Sequence, residues 1–422
     1  MVINTKESKQ EVESWCYFYS PAECSCKYFN NLELNCSARA LTYIPDLTED
    51  SKWQSIDMKK NPIGKLNRYE FANIIVIELD LSSCSLSKIH RNAFMLSKGI
   101  QKLSLAHNEL TVIPNEMGLH LGKLKWLDIS YNPLKHVNFD ELFKSSRYNI
   151  EVLNFDGIKT LQEIDLAKLT NLINVSMNNM SLMLFPSSRG SKISIPSNLR
   201  SLQLSYNNIS DINVQEHFIN NINYLNLSQN LLTKFPGTLK SKSMNILDIS
   251  HNMLETLPGW MLKMMPELNQ LIVNNNRIQK ISKKFLCQSG RNLSIVNLEY
   301  NQITDFPMCA LINHSEFNGV PTIQLNGNNM SCLCRPNVSN YIILWEITLH
   351  NCWFNDTIQD SIWRTDCNEY KLNECEKICL DNKDDPDFIM SYKVGRHNSA
   401  ANNFGGTIFL LSIMSAIWMT VG

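Results

Sequence analysis

No charge of either sign predominates in this chain of 422 residues, which sets 39 Lys and Arg against 40 Asp and Glu for a formal net charge of −1. There is no basic stripe to neutralise phosphates, and no acidic tail or long charge run. The sequence also lacks a Walker loop, a G-x-G-x-x-G, an H-E-x-x-H and a G-x-S-x-G, the common phosphate-binding and hydrolytic signatures. Its nine histidines are scattered, and none stands with Asp, Glu or Cys at a metal-ligand spacing. Neither cofactor nor metal is expected, and an enzyme is the least favoured class. The first fifteen residues contain no apolar run of the length a secretory leader needs.

What the chain does have is a repeat. Between Trp53 and Met330 the frame L-x-x-L-x-L-x-x-N-x-L returns twelve times, at intervals of 22 to 27 residues. Clear copies run Leu199, Leu202, Leu204, Asn207, Ile209, then Met244, Leu247, Ile249, Asn252, Leu254. The Leu-x-Leu core alternates with period two, so each copy predicts a short strand with one face buried. Stacked copies make an α/β repeat fold, a leucine-rich-repeat solenoid or horseshoe whose concave side is a parallel sheet. Hydrophobic content of 44% suits a long quasi-one-dimensional core, and no second globular domain is required.

Asn61, Asn108, Asn132, Asn207, Asn230, Asn252, Asn276, Asn301 and Asn328 recur at one slot of the frame. An amide both donates and accepts, so these residues are expected to satisfy backbone groups where the chain turns inward. Cys84 fills the same slot and reads as a buried free thiol. Ile158 and Met180 occupy it in two degenerate copies, where a kink or bulge is expected. Phe71, Phe94, Phe143, Phe218 and Phe285 follow the strands at similar offsets and read as core plugs between turns.

Of thirteen cysteines, Cys16, Cys24, Cys26 and Cys36 precede the first repeat, and Cys332, Cys334, Cys352, Cys367, Cys375 and Cys379 follow the last. The open ends of a solenoid need caps, and small caps are stapled by disulfides. This cysteine pattern resembles that of extracellular animal leucine-rich-repeat proteins: Cys16, Cys24-Ser25-Cys26 and Cys36 at one end, and Cys332-Leu333-Cys334, Trp345, Cys352 and Cys367 at the other. The resemblance implies pairs Cys16–Cys26, Cys24–Cys36 and Cys332–Cys352, with Cys334 joined to Cys367 or Cys375. Cys287 and Cys309 are placed to bridge consecutive repeats, leaving Cys84 as the odd residue.

The expected organisation is a disordered segment over 1–15, an N-terminal cap over 16–52, twelve repeats over 53–330, a C-terminal cap over 331–380, a polar stalk over 381–403 and a hydrophobic segment over 404–422. Thr407 to Val421 carries no charge but is short for a span of about 30 Å. Small residues before it resemble a lipid-attachment signal, with Asn398 or Ser399 as the acceptor. A short transmembrane tail is the alternative. Either places the protein at the extracellular face of the plasma membrane, with a leader upstream of the given sequence; the alternative is a cytosolic protein with reduced cysteines.

N-x-S/T sequons include Asn174, Asn208, Asn292, Asn313, Asn337 and Asn355 as candidate glycosylation sites, with Asn226 also beside a strand. The concave face is the default contact surface, and Trp126, Asp128, Tyr131, Gln203, Tyr206, Asp248, His251 and Tyr300 are the candidate ligand-binding residues. A protein ligand or homophilic partner follows, in cell-surface recognition or adhesion. The resemblance extends to lipid-anchored adhesion proteins and Toll-like receptor ectodomains, which keeps a pattern-recognition co-receptor or decoy, and a secreted matrix component, as alternatives.

Overall fold

The computed structural model describes residues 23–28, 32–47, 51–304 apart from 162, 215–218, 283 and 287–291, then 306, 321–329, 333–334, 347–348 and 363–364. The chain divides into compact units over 1–383 and 384–422, and every described residue belongs to the first. The expected segments 1–15, 381–403 and 404–422, and with them Asn398 and Ser399, lie outside the described residues, as do Cys16, Cys287, Cys309, Cys332, Cys352, Cys367, Cys375 and Cys379. Phe218, Asn313, Asn337 and Asn355 lie outside them as well.

The main sheet has fifteen strands in sequence order. Its first pair, β1 (Ser25–Tyr28) and β2 (Leu32–Asn35), is antiparallel and carries the cap. Cys24 is bonded to Cys36 here, and Cys26 is also in a disulfide. From β2 onward every pairing in the sheet is parallel, through β3 (Lys52–Asp57), β4 (Ile75–Asp80), β5 (Lys102–Ser104), β6 (Trp126–Asp128) and β7 (Val152–Asn154). It continues through β8 (Asn174–Ser176), β9 (Ser201–Gln203), β10 (Tyr224–Asn226), β11 (Ile246–Asp248), β12 (Gln270–Ile272), β13 (Ile295–Asn297), β14 (Thr322–Gln324) and β15 (Ile347–Thr348). The twelve strands β3 to β14 correspond to the twelve frames of the sequence.

Register is uniform because every three-residue strand buries its middle residue: Leu103, Leu127, Leu153, Leu202, Leu225 and Leu247 are each fully buried and stand opposite one another across the ladder. A one-residue slip would put this whole row into water. Two positions on, Leu105, Ile129, Phe155, Leu204, Leu227 and Ile249 form a second buried row. Behind the strands Phe71 and Phe94 stack at 5.6 Å, and Phe139 meets Phe155 edge-on at 5.2 Å, so aromatics do fill the layer behind the sheet. Phe143 and Phe285 are also fully buried there.

The slot of the recurring Asn is a hydrogen-bond hub. Asn108 donates through Nδ2 to the carbonyls of Leu81 and Leu105, each at 2.9 Å, and its Oδ1 accepts from the amides of Cys84 and Leu86 at 2.9 Å. Asn207, Asn230, Asn252 and Asn276 repeat the pattern, tying each turn to the one before. Cys84 holds the same place through its thiol, Sγ lying 3.2 Å from the Met58 carbonyl and 3.5 Å from that of Ser82. Burial pushes its thiol up to about 11, which leaves it unreactive.

At Ile158 and Met180 no hub exists, and a polar network on the outer side of the sheet takes its place. Asp156 accepts from Ser176 Oγ and the Asn178 amide at 2.7 Å, and Asn178 Oδ1 accepts from the amide and hydroxyl of Ser205 at 2.7 Å. The ladder therefore crosses the degenerate copies in register, with inter-turn bonds moved two residues toward solvent.

Candidate functional site

The solvent side of the sheet is built from rows of side chains set by the strand register. One row follows the buried leucines directly: Asp57, Asp80, Ser104, Asp128, Asn154, Ser176, Gln203, Asn226, Asp248, Ile272, Asn297 and Gln324 are aligned strand to strand. Most of its Asp and Asn members share one local job. Oδ1 of Asp57, Asp80, Asp128, Asn154, Asn226, Asp248 and Asn297 accepts the backbone N–H two residues on, at 2.9 to 3.1 Å. These are Asx turns that hold the chain as it leaves each strand.

The row just before the Asn slot is held in the left-handed region. Lys60, Ser83, His107, Tyr131, Asn179, Tyr206, Gln229, His251, Asn275 and Tyr300 all have φ between 52° and 59°, and Gly157 and Gly327 take the same place with φ of 73°. Non-glycine residues accept this conformation at a cost of about 1–2 kcal/mol each. The ladder compensates, since each of these N–H groups donates to the next turn, as His107 does to Ser130 and Tyr206 to Ser228. The backbone thereby lifts these side chains clear of the sheet: Tyr131 is 43% exposed, Tyr206 58% and Tyr300 60%.

Two of these rings are seated on glycines. A Cβ added at Gly157 would fall 2.5 Å from Tyr131 Cδ1, and one at Gly327 would fall 2.6 Å from Tyr300 Cδ1. On its other side Tyr131 stacks on His107, with centroids 4.4 Å apart and planes 7° from parallel. His251 meets Asn275 Nδ2 at 3.3 Å.

The candidate contact residues thus fall into separate rows. Tyr131, Tyr206, His251 and Tyr300 share the raised row and are exposed, whereas Asp128, Gln203 and Asp248 share the recessed row and are half-buried. Trp126 opens β6 beside Asp128 and is half-buried rather than prominent. Asp128 has its carboxyl pushed up, first by burial and further by the nearby Asp156 carboxylate, against the hydrogen bonds from Ser130 that favour the ion. Asn174 is exposed in β8, and Asn226 is half-buried in β10, so a glycan on either would stand on this face. Asn208 and Asn292 are exposed, Asn292 donating to Glu267 at 2.7 Å.

Sequence reasoning missed Ile246, Ile272 and Ile295, aliphatic residues half-buried on the solvent side of neighbouring strands. The run Leu271-Ile272-Val273 hides the alternation that would have exposed Ile272 as an outward residue. The Asx turns were missed as well, although Asp or Asn directly after the core leucine is the signal.

A cleft of about 480 Å³ lies away from the main sheet, between His136–Asp140 and Glu163–Asp165 with Lys192. Its charges are satisfied locally: Lys192 pairs with Glu163 at 2.6 Å, Lys168 with Asp140, and Ser194 bonds Asp165. Lys192 holds the Glu163 carboxyl below its usual range. Among the described residues no group of His, Cys, Asp and Glu is placed to hold a metal ion.

A family model described as leucine rich repeat matches residues 76–134. The chain is a leucine-rich-repeat protein. It is 24% identical to keratocan of Mus musculus over 344 residues, covering 70% of this chain and 86% of keratocan. Lumican of Homo sapiens is 25% identical over 327 residues, 73% of this chain and 82% of lumican. Over a shorter stretch of 142 residues the repeat protein is 30% identical to leucine-rich repeat-containing protein 3 of Danio rerio, covering 32% of this chain and 52% of that one. Keratocan and lumican are small leucine-rich proteoglycans and non-enzymatic.

Proposed function

We propose that the protein acts outside the cell as a protein-binding component of extracellular matrix, and that its partner lies along the solvent side of the strand sheet. The observation that carries this is the raised row: Tyr131, Tyr206 and Tyr300 are amphipathic anchors fixed by left-handed backbone, two of them seated on glycines. A rigid exposed aromatic loses little side-chain freedom on contact, which favours binding. Location outside the cell is supported by the disulfides at Cys24, Cys26 and Cys36 and by likeness to secreted matrix proteins such as keratocan and lumican.

The experiment is expression behind a supplied secretion signal, followed by fractionation. The matrix reading predicts protein in medium and in detergent-insoluble deposits, with little on the cell surface.

The apolar run Thr407 to Val421 favours a second reading, a lipid-anchored recognition or adhesion protein with Asn398 or Ser399 as the acceptor. Release of a surface pool by phosphatidylinositol-specific phospholipase C would support that reading against the first.

A further inference from the structure

The recessed row of Asp and Asn separates what the fold needs from what it does not. An Asx turn uses one side-chain oxygen, which an amide and a carboxylate supply alike. Asn154, Asn226 and Asn297 make the same bond at 2.9 to 3.0 Å as Asp57, Asp80, Asp128 and Asp248 make at 2.9 to 3.1 Å. The negative charge at the four aspartates is therefore surplus to the turn. At Asp128 it is a burden, because the half-buried setting disfavours the ion.

That surplus is opposed only at the first turn, where Lys59 pairs with Asp57 and Lys60 stands in the raised row. In the recessed row and the one two residues beyond it, from Asp57 to Asn326, six carboxylates (Asp57, Asp80, Asp128, Asp156, Asp248 and Glu299) share the surface with one ammonium, Lys59, paired to Asp57 at 2.8 Å. The flanking charges do find partners, Lys102 with Glu78 at 2.7 Å and Lys125 with Glu151 at 3.1 Å. Half-buried carboxylates gathered on one face, in a chain close to neutral, favour a positive partner. Beside them the raised row offers the faces of Tyr131, Tyr206 and Tyr300, which accept a guanidinium by cation–π contact.

Resting on the reading that the sheet face is the contact surface, we propose that its occupant is an arginine-bearing, cationic protein segment laid across the strands. Guanidinium groups reach the recessed carboxylates in pairs and stack on the raised tyrosines.

The test replaces the four aspartates by Asn (D57N, D80N, D128N, D248N), which keeps every Asx turn. Three of these changes create N-x-S sequences, so the proteins are made in a host that attaches no N-glycans. A control removes equal charge elsewhere (E116Q, E141Q, E163Q, E267Q). The probe is a fluorescent peptide of repeating Arg-Gly-Ser, with a Glu-Gly-Ser counterpart. The expected result is binding of the arginine peptide alone, weakened about tenfold or more by the four Asn changes at a thermal midpoint no lower than that of wild type, and untouched by the control. Equal affinity in the Asn variant and wild type, or equal loss in both variants, overturns the proposal. A separate change, Gln203→Asn expressed in a glycosylating host, sets a glycan on the same face. If that glycan abolishes binding to deposited matrix while the four Asn changes do not, the cationic partner is refuted and the sheet-face reading stands. If the glycan has no effect, both fall.

Discussion

The ring of Tyr131 occupies the space that a side chain on Gly157, one turn further along the solenoid, would need. Glycine there has two causes, the ring at 2.5 Å from an added Cβ and a φ of 73°, and they can be separated by mutation. Gly157→Ala is expected to destabilise the fold by about 2 kcal/mol or more, combining overpacking with left-handed strain. In the background of Tyr131→Ala the same change should cost only the strain, about 1–2 kcal/mol. A double-mutant cycle by chemical denaturation checks this, and strict additivity would show that ring and glycine do not interact.

The buried amide hub predicts a second graded effect. Asn252 donates to the carbonyls of Leu227, Ile249 and Ser250 and accepts from the Leu232 amide at 3.0 Å. Asn252→Ala orphans several buried groups together and should cost roughly 3 kcal/mol, against about 0–0.5 kcal/mol for an exposed substitution such as Lys242→Ala. Denaturant midpoints at constant slope are the readout.

Cys84 should behave as a small core residue. With its thiol pushed up to about 11 and its side chain buried, native protein is expected to leave it unmodified by iodoacetamide at pH 8, with labelling appearing only on unfolding. Cys84→Asn, which restores the residue type of the other turns, should be tolerated. Rapid labelling of the native thiol would contradict the placement.

Much of this fold was legible because its information is periodic. The twelve Leu-x-Leu cores predict the strands and their buried face, and the Asn at the turn predicts the hub, since each repeats one physical requirement. The site was legible only in part. Tyr131, Tyr206, His251 and Tyr300 could be named from their place before Asn, but the left-handed backbone that raises them leaves no mark where the residue is not glycine. Asp128 and Asp248 were named as contacts without their turn-forming role, which depends on an N–H two residues away. Ile246 and Ile295 were hidden because an aliphatic beside a core Leu247 or Val296 reads as more core.

The raised pKa of Asp128 gives a prediction with a definite sign. A carboxyl whose folded value lies above its unfolded value holds its proton more tightly when folded, so the contribution is fully present below about pH 3.8 and is lost as pH rises through the folded value. Asp128→Asn keeps the Ser130 contact and removes the ionisation penalty, at the loss of the bond that Oδ2 accepts from Asn154 Nδ2 at 3.2 Å. Made without N-glycans, it should be more stable than wild type at pH 7 and show no such gain at pH 3. Equal differences at both pH values would contradict the burial argument.

The most direct test of the sheet face as contact surface is a pair of glycan wedges in the secreted protein. Gln203→Asn completes an N-x-S sequon with Leu204 and Ser205 in the middle of the sheet, and Arg189→Asn completes one with Gly190 and Ser191 in an exposed turn between β8 and β9. With occupancy confirmed by mass shift and unchanged thermal midpoints, the wedge at position 203 is expected to abolish binding to deposited matrix while the wedge at position 189 leaves it intact. Undiminished binding with a glycan at position 203 would contradict the account and move the contact surface off the sheet.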